Sequence, residues 1–334
     1  MSRHTVFATF VATIAATLAL ASATAMAARP GGGGSTDPCV KSGLDFPAFA
    51  YWKPSSKTIE ILVADATGKC TRSVIKSSGT GATIQFSYPV VGADGVTRGR
   101  VVWVDAPAVV AVDFTVAAGT NQISVGPRRT LYPRTGGYIS LSRDGHSLYT
   151  TGYLDSGELV IDKLFLDPLG TPTPVFTLPA DRVSSPSTIS VDGNETVLFA
   201  DYITHSGGSR LYQLVWIPLN GSNTYNVIDE RESMTGEFSP AADPWSNRVA
   251  YQKPTVTSGY CDSLVTSDVN GHPTYPSQPA YVTKSTWLNG KVLADGRAKS
   301  NSGGYCSYTG TIMQTDPITG AQVALTSGYD PDGK

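Results

Sequence analysis

The sequence predicts an all-β protein: a six-bladed β-propeller of four-stranded antiparallel blades, closed by N- and C-terminal strands that share one blade. Three observations predict this fold. A strand–turn–strand unit recurs along the chain, a second kind of turn alternates with it, and no long window has helical periodicity. The composition, with 34 Gly, 22 Pro and 16% charged residues, is typical of a protein with many turns.

The recurring unit is clearest at Tyr138–Gly152, where Asp144-Gly145 separates two apolar strands. An Asp-Gly pair supplies the left-handed backbone that a tight hairpin needs. Similar units occur at Val90–Val104, Ser187–Asp201, Phe238–Gln252 and Val282–Asp295.

The spacing of these turns predicts the number of blades. The steps between them are about 43 to 54 residues, which is the length of a four-stranded blade. The turns fall near Asp94, Asp144, Asp192, a degenerate Ser246-Asn247, Asn289 and Asp332. Six turns predict six blades, although the unit around Gly92–Thr130 is irregular.

The second kind of turn, Asp-x-x-Gly, follows the third strand of each unit. It first appears after the strand Thr58–Asp65 and is clear at Asp167–Gly170 and Asp268–Gly271. Pro218–Gly221 and Asp316–Gly320 are looser variants. Two turn types that alternate in this way are expected of blades built from two consecutive hairpins.

The two ends of the repeat complement each other. Phe46–Trp52 is a second strand without a first, whereas Ala324–Gly328 and Asp330–Lys334 predict a first strand and its turn without a second. Joined, they give one complete blade, which leaves no unpaired strand edge at the closure.

The N-terminal residues predict export. Residues 1–27 are interpreted as a signal peptide, because the apolar run Val6–Ala21 follows a short basic start and precedes the small-x-small pattern Ala25-Met-Ala27. A membrane anchor is the alternative. Residues 28–45 are a Gly-rich linker and residues 46–334 the propeller domain. We therefore expect a periplasmic or secreted protein with no membrane span after signal cleavage, and the formal charge of −2 without a basic block argues against nucleic-acid binding.

Two copies of the turn resemble a known repeat. Ser142-Arg-Asp-Gly-His-Ser-Leu-Tyr and Asp330-Pro-Asp-Gly-Lys are similar to the Ser-Pro-Asp-Gly-Lys repeat of TolB-type, WD-like propellers, over roughly residues 46–334. The resemblance implies a six-bladed propeller of a bacterial envelope or secreted protein. It implies no particular function, because the α/β domain that precedes the propeller in TolB has no counterpart in residues 28–45.

The four cysteines predict two disulfides, as an exported protein allows. Cys261 and Cys306 precede the third strands of adjacent blades, at equivalent positions that lie side by side, and should pair. Cys39 and Cys70 then remain to pair with each other. A zinc site is the alternative, but the sequence has no Cys-x-x-Cys or matching His spacing.

The search for catalytic residues gives no candidate. The only histidines after the signal are His146, His205 and His272, and two of them directly follow Gly in predicted turns. No hydrolase elbow, zinc-protease helix or nucleotide loop is present. We predict no catalytic residue, no metal and no cofactor.

The candidate binding residues lie in the predicted loops between second and third strands. These loops lengthen in the later blades, at Tyr202–Arg210, Lys253–Asp262 and Asp295–Tyr308, on the face opposite to both kinds of turn. Tyr and Arg often anchor interfaces. The candidates are Tyr202, His205, Arg210, Lys253, Tyr260, Arg297 and Tyr305, and merely solvated loops are the alternative.

The sequence as a whole predicts a monomeric, non-enzymatic exported propeller that binds a protein or an envelope polymer. The alternative is a propeller-type hydrolase or lyase that acts on a glycan or lactone. Carboxylates and histidines gathered at the channel mouth would favour the enzyme, whereas an apolar or Ser/Thr-lined channel would favour the binding protein.

Overall fold

The computed structural model describes residues 48–333, except for 65–69, 78–82, 119–121, 133–136, 179–184, 207–208, 233–237, 255–260, 289 and 300–305. The 25 strands of this part form six antiparallel sheets. Within the described residues, no helix is long and apolar enough to cross a membrane. The predicted signal peptide and linker lie outside the described residues.

Four of the six sheets are regular four-stranded blades. Blade 1 contains, in spatial order, β25 (Tyr329–Gly333), β1 (Ala48–Lys53), β2 (Thr58–Ala64) and β3 (Cys70–Lys76). Blade 3 contains β10 (Ile139–Leu141), β11 (Ser147–Tyr153), β12 (Leu159–Phe165) and β13 (Thr173–Leu178). Blade 4 contains β14 (Ser185–Val191), β15 (Val197–Ser206), β16 (Ser209–Pro218) and β17 (Asn226–Glu232). Blade 6 contains β21 (Val282–Leu288), β22 (Lys291–Lys299), β23 (Cys306–Thr315) and β24 (Gln322–Ser327).

Blades 2 and 5 depart from the pattern. Blade 2 has six strands: β4 (Ile84–Phe86), β5 (Val90–Val91), β6 (Thr97–Asp105), β7 (Ala108–Val116), β8 (Ile123–Val125) and β9 (Arg129–Tyr132). The long strands β6 and β7 pair with β4 and β9 in the regular part of the blade, and with β5 and β8 in an extension of it. Blade 5 has β18 (Ala241–Ala242), β19 (Arg248–Pro254) and β20 (Asp262–Asp268), and two isolated bridges, Ser263 to Tyr281 and Thr266 to Thr274, take the place of a fourth strand.

The innermost strands close a ring. Each contacts the innermost strand of the next blade, in the order β25, β4, β10, β14, β18, β21 and back to β25. This arrangement confirms the predicted six-bladed propeller and its closure by strands from both ends of the chain.

The closing strand differs in detail from the prediction. Ala324–Gly328 was expected to be the first strand of the shared blade, but most of it belongs to β24, the outer strand of blade 6. The segment from Tyr329 to Gly333 forms the closing strand instead and pairs antiparallel with β1. Its Asp-Pro-Asp-Gly motif is extended along β1 and does not form the predicted turn. Its Pro331 lies at a bulge in the pairing, where a missing N–H is tolerated.

The core consists of six apolar clusters, one between each pair of adjacent blades. Because successive side chains of a strand point to opposite faces, β6 sends Val101 and Trp103 towards blade 1 and Val102 towards blade 3. Both faces of the middle strands are therefore buried, which explains their continuous apolar runs.

Polar side chains of the innermost strands also connect the blades. Gln85 Oε1 accepts a hydrogen bond from Leu141 N of the next blade, at 3.0 Å. Ser140 Oγ accepts one from Val191 N, and Ser190 Oγ one from Ala242 N, each at 2.9 Å. Three successive blades thus use a polar side chain of the inner strand to hold the backbone of the next blade.

Two buried tyrosines link neighbouring blades and should make the fold sensitive to alkali. Tyr149 donates to Glu195 at 2.6 Å and Tyr251 to Asp229 at 3.0 Å. Burial and these carboxylates raise the pKa of both phenols. Since the pKa in the folded state exceeds the unfolded value of about 10, their contribution is complete below pH 10 and is lost above it, by about 1.4 kcal/mol per pH unit for each tyrosine.

Urea denaturation of the wild type and of Tyr149→Phe/Tyr251→Phe between pH 8 and 11 tests this expectation. The double variant should lose stability less steeply above pH 10 than the wild type. Tyr308→Phe, which changes a half-exposed tyrosine of blade 6, should follow the wild type. Equal slopes for all three proteins would contradict the assignment.

Candidate functional site

The two faces of the ring are defined by their connections. The loop face carries the connections between second and third strands, such as the one between Tyr153 and Leu159. The turn face carries the turns after first and third strands, such as those at Ser142–His146 and Asp167–Gly170.

The predicted loop at Tyr202–Arg210 is instead a β-hairpin. β15 and β16 remain paired up to Ser206 and Ser209. The prediction of a loop is wrong here because Tyr202 to Ser206 and Ser209 to Arg210 are paired strand. Tyr202 is buried, with 1% exposure, and its ring packs edge-on against Tyr225. His205 and Arg210 face each other in the strand pairing, but their side chains lie outside the described part.

Two other predicted residues of the loop face are held by local contacts. Lys253 Nζ lies 2.7 Å from both carboxylate oxygens of Asp229, which ties blade 5 to blade 4. Arg297 donates to Cys306 O at 3.2 Å and stacks at 3.6 Å over the ring of Tyr308, which is half exposed. Both side chains have a structural partner, so their role in binding stays a prediction.

The remaining residues predicted for this face are only partly described. Tyr260 and Tyr305 lie outside the described residues, as does Cys39, and the Cys39–Cys70 bridge stays a prediction. The bridge between Cys261 and Cys306 is present and joins the start of β20 to the start of β23, which confirms the predicted pairing. Next to it, burial raises the pKa of Asp262 although Arg231 and Arg297 act in the opposite direction.

The turn face is where the structure brings side chains of several blades together. Ser142, Asp192 and Asp243 occupy the same position in three blades, because the N–H of each donates to the carbonyl oxygen five residues later. Three residues after this position the backbone is left-handed, at Gly145 in blade 3 and at Glu195 in blade 4. The turn predicted near Asp192 is present, with its left-handed corner at Glu195, and Asp192 accepts hydrogen bonds from Thr196 N and Val197 N across it.

Blade 2 starts its turn in the same way. Ser87 exchanges hydrogen bonds with the backbone of Arg100, as Ser142 does with Ser147. The Asp94 turn predicted for this blade belongs to the inserted hairpin of β5 and β6 instead.

The residues that follow these four positions approach one another on the turn face. They are Tyr88, Arg143, Gly193 and Pro244, from blades 2 to 5. Tyr88 N donates to Arg143 O at 2.7 Å, and Arg143 Nη1 donates to Pro244 O at 3.3 Å. A Cβ on Gly193 would lie 1.7 Å from Pro244 O, so only glycine permits this approach.

Trp245 completes this group. The Arg143 guanidinium lies 4.3 Å from the centre of the indole, and the Tyr88 ring meets the indole edge-on at 5.0 Å. Tyr88 and Trp245 come from blades 2 and 5, which are opposite each other in a ring of six, so their contact spans the axis. We call Tyr88, Arg143 and Trp245 the channel-mouth platform. Trp245 remains 51% exposed.

An ion-pair network supports the platform from the side of blades 2 and 3. Arg100 binds Asp113 at 2.6 Å and Asp167 at 2.7 Å, and also donates to Gly145 O. Burial disfavours the charged form of Asp167, but the hydrogen bond and charge of Arg100 outweigh it and lower the pKa of this carboxyl. The turn beneath Arg143 is thereby fixed to blade 2.

Titratable groups elsewhere in the described part are dispersed. His146 and His272 are exposed turn residues beside Asp167 and Asp268, as the sequence predicts. No group of three or more His, Cys, Asp or Glu residues in this part is arranged to hold a metal ion. The channel-mouth platform has the chemistry of a recognition surface: a fixed aromatic face beside a guanidinium.

Sequence reasoning did not identify this platform. Trp245 follows Asp243-Pro244 in the unit whose turn is degenerate, and Tyr88 precedes the irregular insertion of blade 2. Ser142, Asp192 and Asp243 are structurally equivalent, and an alignment of the units on these positions would place Arg143 and Pro244 at one position. The equivalent positions carry different residue types, Ser in one unit and Asp in the other two, so the sequence pattern alone does not reveal this alignment.

The similarity of this chain to known proteins lies in its fold. The sequence matches no protein-family model and no curated protein. Among solved structures, it is similar to TolB from Acinetobacter baumannii, with 15% identity, 85% of this chain and 65% of that chain covered, and a TM-score of 0.48. It is also similar to an oligogalacturonate lyase in complex with manganese (13% identity, 85% and 73% covered, TM-score 0.44). For the acylaminoacyl peptidase of Pyrococcus horikoshii the identity is 11%, with 73% and 39% covered and a TM-score of 0.40.

The chain spans just under two thirds of the length of that TolB structure. At these identities the similarity concerns the propeller fold alone.

Proposed function

We propose that this protein is an exported, monomeric, non-enzymatic β-propeller that binds a partner protein at the channel-mouth platform. The main support is the state of Trp245, which is half exposed although two residues from other blades fix its ring. A large aromatic side chain held rigid before binding loses little conformational entropy on association, and Trp, Tyr and Arg are the residues most often found at the centre of interfaces.

Other exposed apolar side chains of the turn face support a protein partner. Five large ones are about half exposed or more on the strands and turns of this face: Val90, Val91, Phe165, Leu169 and Ile318. On the loop face the corresponding described residues are Tyr153, Leu154 and Tyr308. Apolar residues around a rigid aromatic centre are typical of a protein-binding surface. This proposal places the partner on the face opposite to the one expected from the loops.

Export is supported by the Cys261–Cys306 bridge, because disulfides persist in oxidising compartments. The predicted signal peptide agrees with this location. The disulfide ties blade 6 to blade 5, the blade that lacks a full fourth strand.

A non-enzymatic role is supported by the use of buried polar groups for structure. Asp201 accepts hydrogen bonds from the backbone of Phe238 and Ser239 at the entrance to blade 5. Asp105 is paired with Arg128 at 2.6 Å. The inner-strand side chains Gln85 and Ser140 hold the backbone of neighbouring blades.

Capture from an envelope extract of the source organism tests the proposed function. Immobilised mature protein should retain a specific protein, and Trp245→Ala should weaken that interaction about 30-fold, as expected for a central aromatic anchor worth about 2 kcal/mol. Tyr275→Ala is the matched control, because Tyr275 is a similarly exposed aromatic residue at the outer side of the same blade.

Three results would change the interpretation. Equal capture by the wild type and Trp245→Ala would overturn the platform as the binding site. Retention of a polysaccharide in place of a protein would identify an envelope polymer as the partner. Shortening of that polysaccharide by the wild type would support the alternative of a glycan hydrolase or lyase.

A further inference from the structure

We infer that the partner contributes an extended segment, which pairs with the free edge of β5 and passes over Trp245. This inference rests on the proposed function, since it names the kind of chain that occupies the channel-mouth platform. It depends on a second feature of the turn face, the two-residue strand β5, whose backbone has a free edge beside its exposed valines.

The position of β5 directs its free edge towards the platform. β4 and β5 both pair with β6, and both on the side away from β7. β4 is the innermost strand of its blade, so this side of β6 faces the ring axis. β5 pairs with the same edge of β6 as β4 does, beyond the regular part of the blade. Only Tyr88 and Pro89 separate β5 from the turn that begins at Ser87.

The hydrogen-bond pattern leaves one residue of β5 with its backbone groups free. Gly92 N donates to Val96 O at 2.9 Å, and Val90 is opposite Arg98. Successive residues of a strand direct their N–H and C=O groups to opposite sides, so those of Val91 point away from β6. Among the described residues, the backbone hydrogen bonds outside the strand ladders include none to the N–H or the C=O of Val91.

The strand is also uncovered on both faces. Val90 is 54% and Val91 65% exposed, and adjacent residues of a strand point to opposite faces. The tip of the hairpin is fixed by Arg98, which binds Asp94 at 2.6 Å, and by Gly95 in the left-handed conformation. The hairpin is therefore preformed, and its free edge is apolar.

These features fit a polypeptide better than a polysaccharide. An exposed strand edge offers alternating N–H and C=O groups, which a second backbone matches in register, and flanking side chains then supply the specificity. A segment paired with Val91 lies beside Tyr88, from which its next side chains can reach the open indole of Trp245. An apolar side chain at that point buries surface against a ring whose position is already fixed.

The sharpest variant is Val91→Pro. It removes the free N–H without removing a hydrogen bond to β6, because the groups of Val91 point away from that strand. Val91→Ala is the matched control, since it shortens the side chain and keeps the N–H. The probe is a displayed library of random linear 12-residue peptides, selected on the immobilised mature wild type, and the dissociation constants of the enriched peptides are measured for each variant.

We expect Val91→Pro to weaken these peptides about tenfold, as expected for a lost edge hydrogen bond and its register, and Val91→Ala to weaken them less than about threefold. Trp245→Ala should weaken the same peptides. Hydrogen exchange of the wild type should slow over residues 88–98 when a peptide is bound, and this readout does not depend on the folding of any variant.

The outcomes separate the two proposals. Peptides sensitive to Trp245→Ala but equally affected by Val91→Pro and Val91→Ala would overturn edge pairing and leave the platform in place. Peptides insensitive to all three variants would overturn both. No enrichment, or no slowing of exchange over residues 88–98, would overturn the extended segment as the occupant.

Discussion

Replacing Gly193 with alanine should lower the free energy of unfolding by about 3 kcal/mol, the upper range for overpacking. The added Cβ would lie 1.7 Å from Pro244 O and 2.6 Å from its carbonyl carbon, which are backbone atoms that no side-chain rotation can move. The turns of blades 4 and 5 must therefore separate. Because Trp245 directly follows Pro244, the indole should also move away from Arg143 and Tyr88.

Gly170→Ala is the matched control for this experiment. Gly170 is also a turn residue of the turn face, but a Cβ there would meet nothing closer than 3.6 Å, and its backbone is not left-handed. That substitution should leave stability unchanged or raise it slightly, because alanine restricts the unfolded chain. Urea denaturation gives the stability, and the fluorescence of Trp245, assigned by subtracting Trp245→Phe, gives the state of the platform. If Gly193→Ala were as stable as Gly170→Ala, the close approach of the two turns would be wrong.

The repeat made the ring predictable, because each blade needs two hairpin turns at nearly constant spacing. The backbone reverses at Asp144-Gly145 and at Asp167–Gly170. Residue types that favour such turns can be recognised directly in the sequence. The Cys261–Cys306 pairing was predictable for the same reason, since equivalent positions of adjacent blades lie side by side.

The residue that forms the left-handed corner of each turn was less predictable. Asp192-Gly193 has the composition of a corner, yet Glu195 takes the left-handed conformation and Gly193 is required by a neighbouring blade. A left-handed backbone and a close approach of another backbone both require glycine, so the sequence shows the same residue in either case. Only the inter-blade contact distinguishes them.

The candidate site was the least predictable feature for a related reason. Tyr88, Arg143 and Trp245 come from three blades, and what unites them is that the Arg143 guanidinium and the Tyr88 ring both contact the indole of Trp245. Sequence spacing predicts where strands turn, but the tilt of blades around the axis decides which side chains meet. The length of a connection was also a poor guide, because the predicted loop Tyr202–Arg210 is paired strand up to Ser206 and again from Ser209.

Removing the Cys261–Cys306 bridge should lower the free energy of unfolding substantially. The two cysteines are 45 residues apart, and constraining a loop of that length in the unfolded chain is worth about 4 kcal/mol in the chain-entropy model. Blade 5 depends on this tie more than the other blades, because two isolated bridges replace its fourth strand. We therefore expect Cys261→Ala/Cys306→Ala to lower the free energy of unfolding by about 4 kcal/mol, and hydrogen exchange to accelerate most in β19 and β20. Alanine is preferred to serine because Cys261 is fully buried.

Reductant provides the control for this variant. In the presence of dithiothreitol at denaturing urea concentrations, the wild type and the double variant should have nearly the same midpoint, because both then lack the bridge and any other disulfide is reduced equally in both. A difference that persists under reduction would assign the loss to packing of the cysteine side chains instead. A double variant as stable as the oxidised wild type would show that the contacts between blades 5 and 6, including the hydrogen bond from Trp287 Nε1 to Ala241 O, hold the two blades without the cross-link.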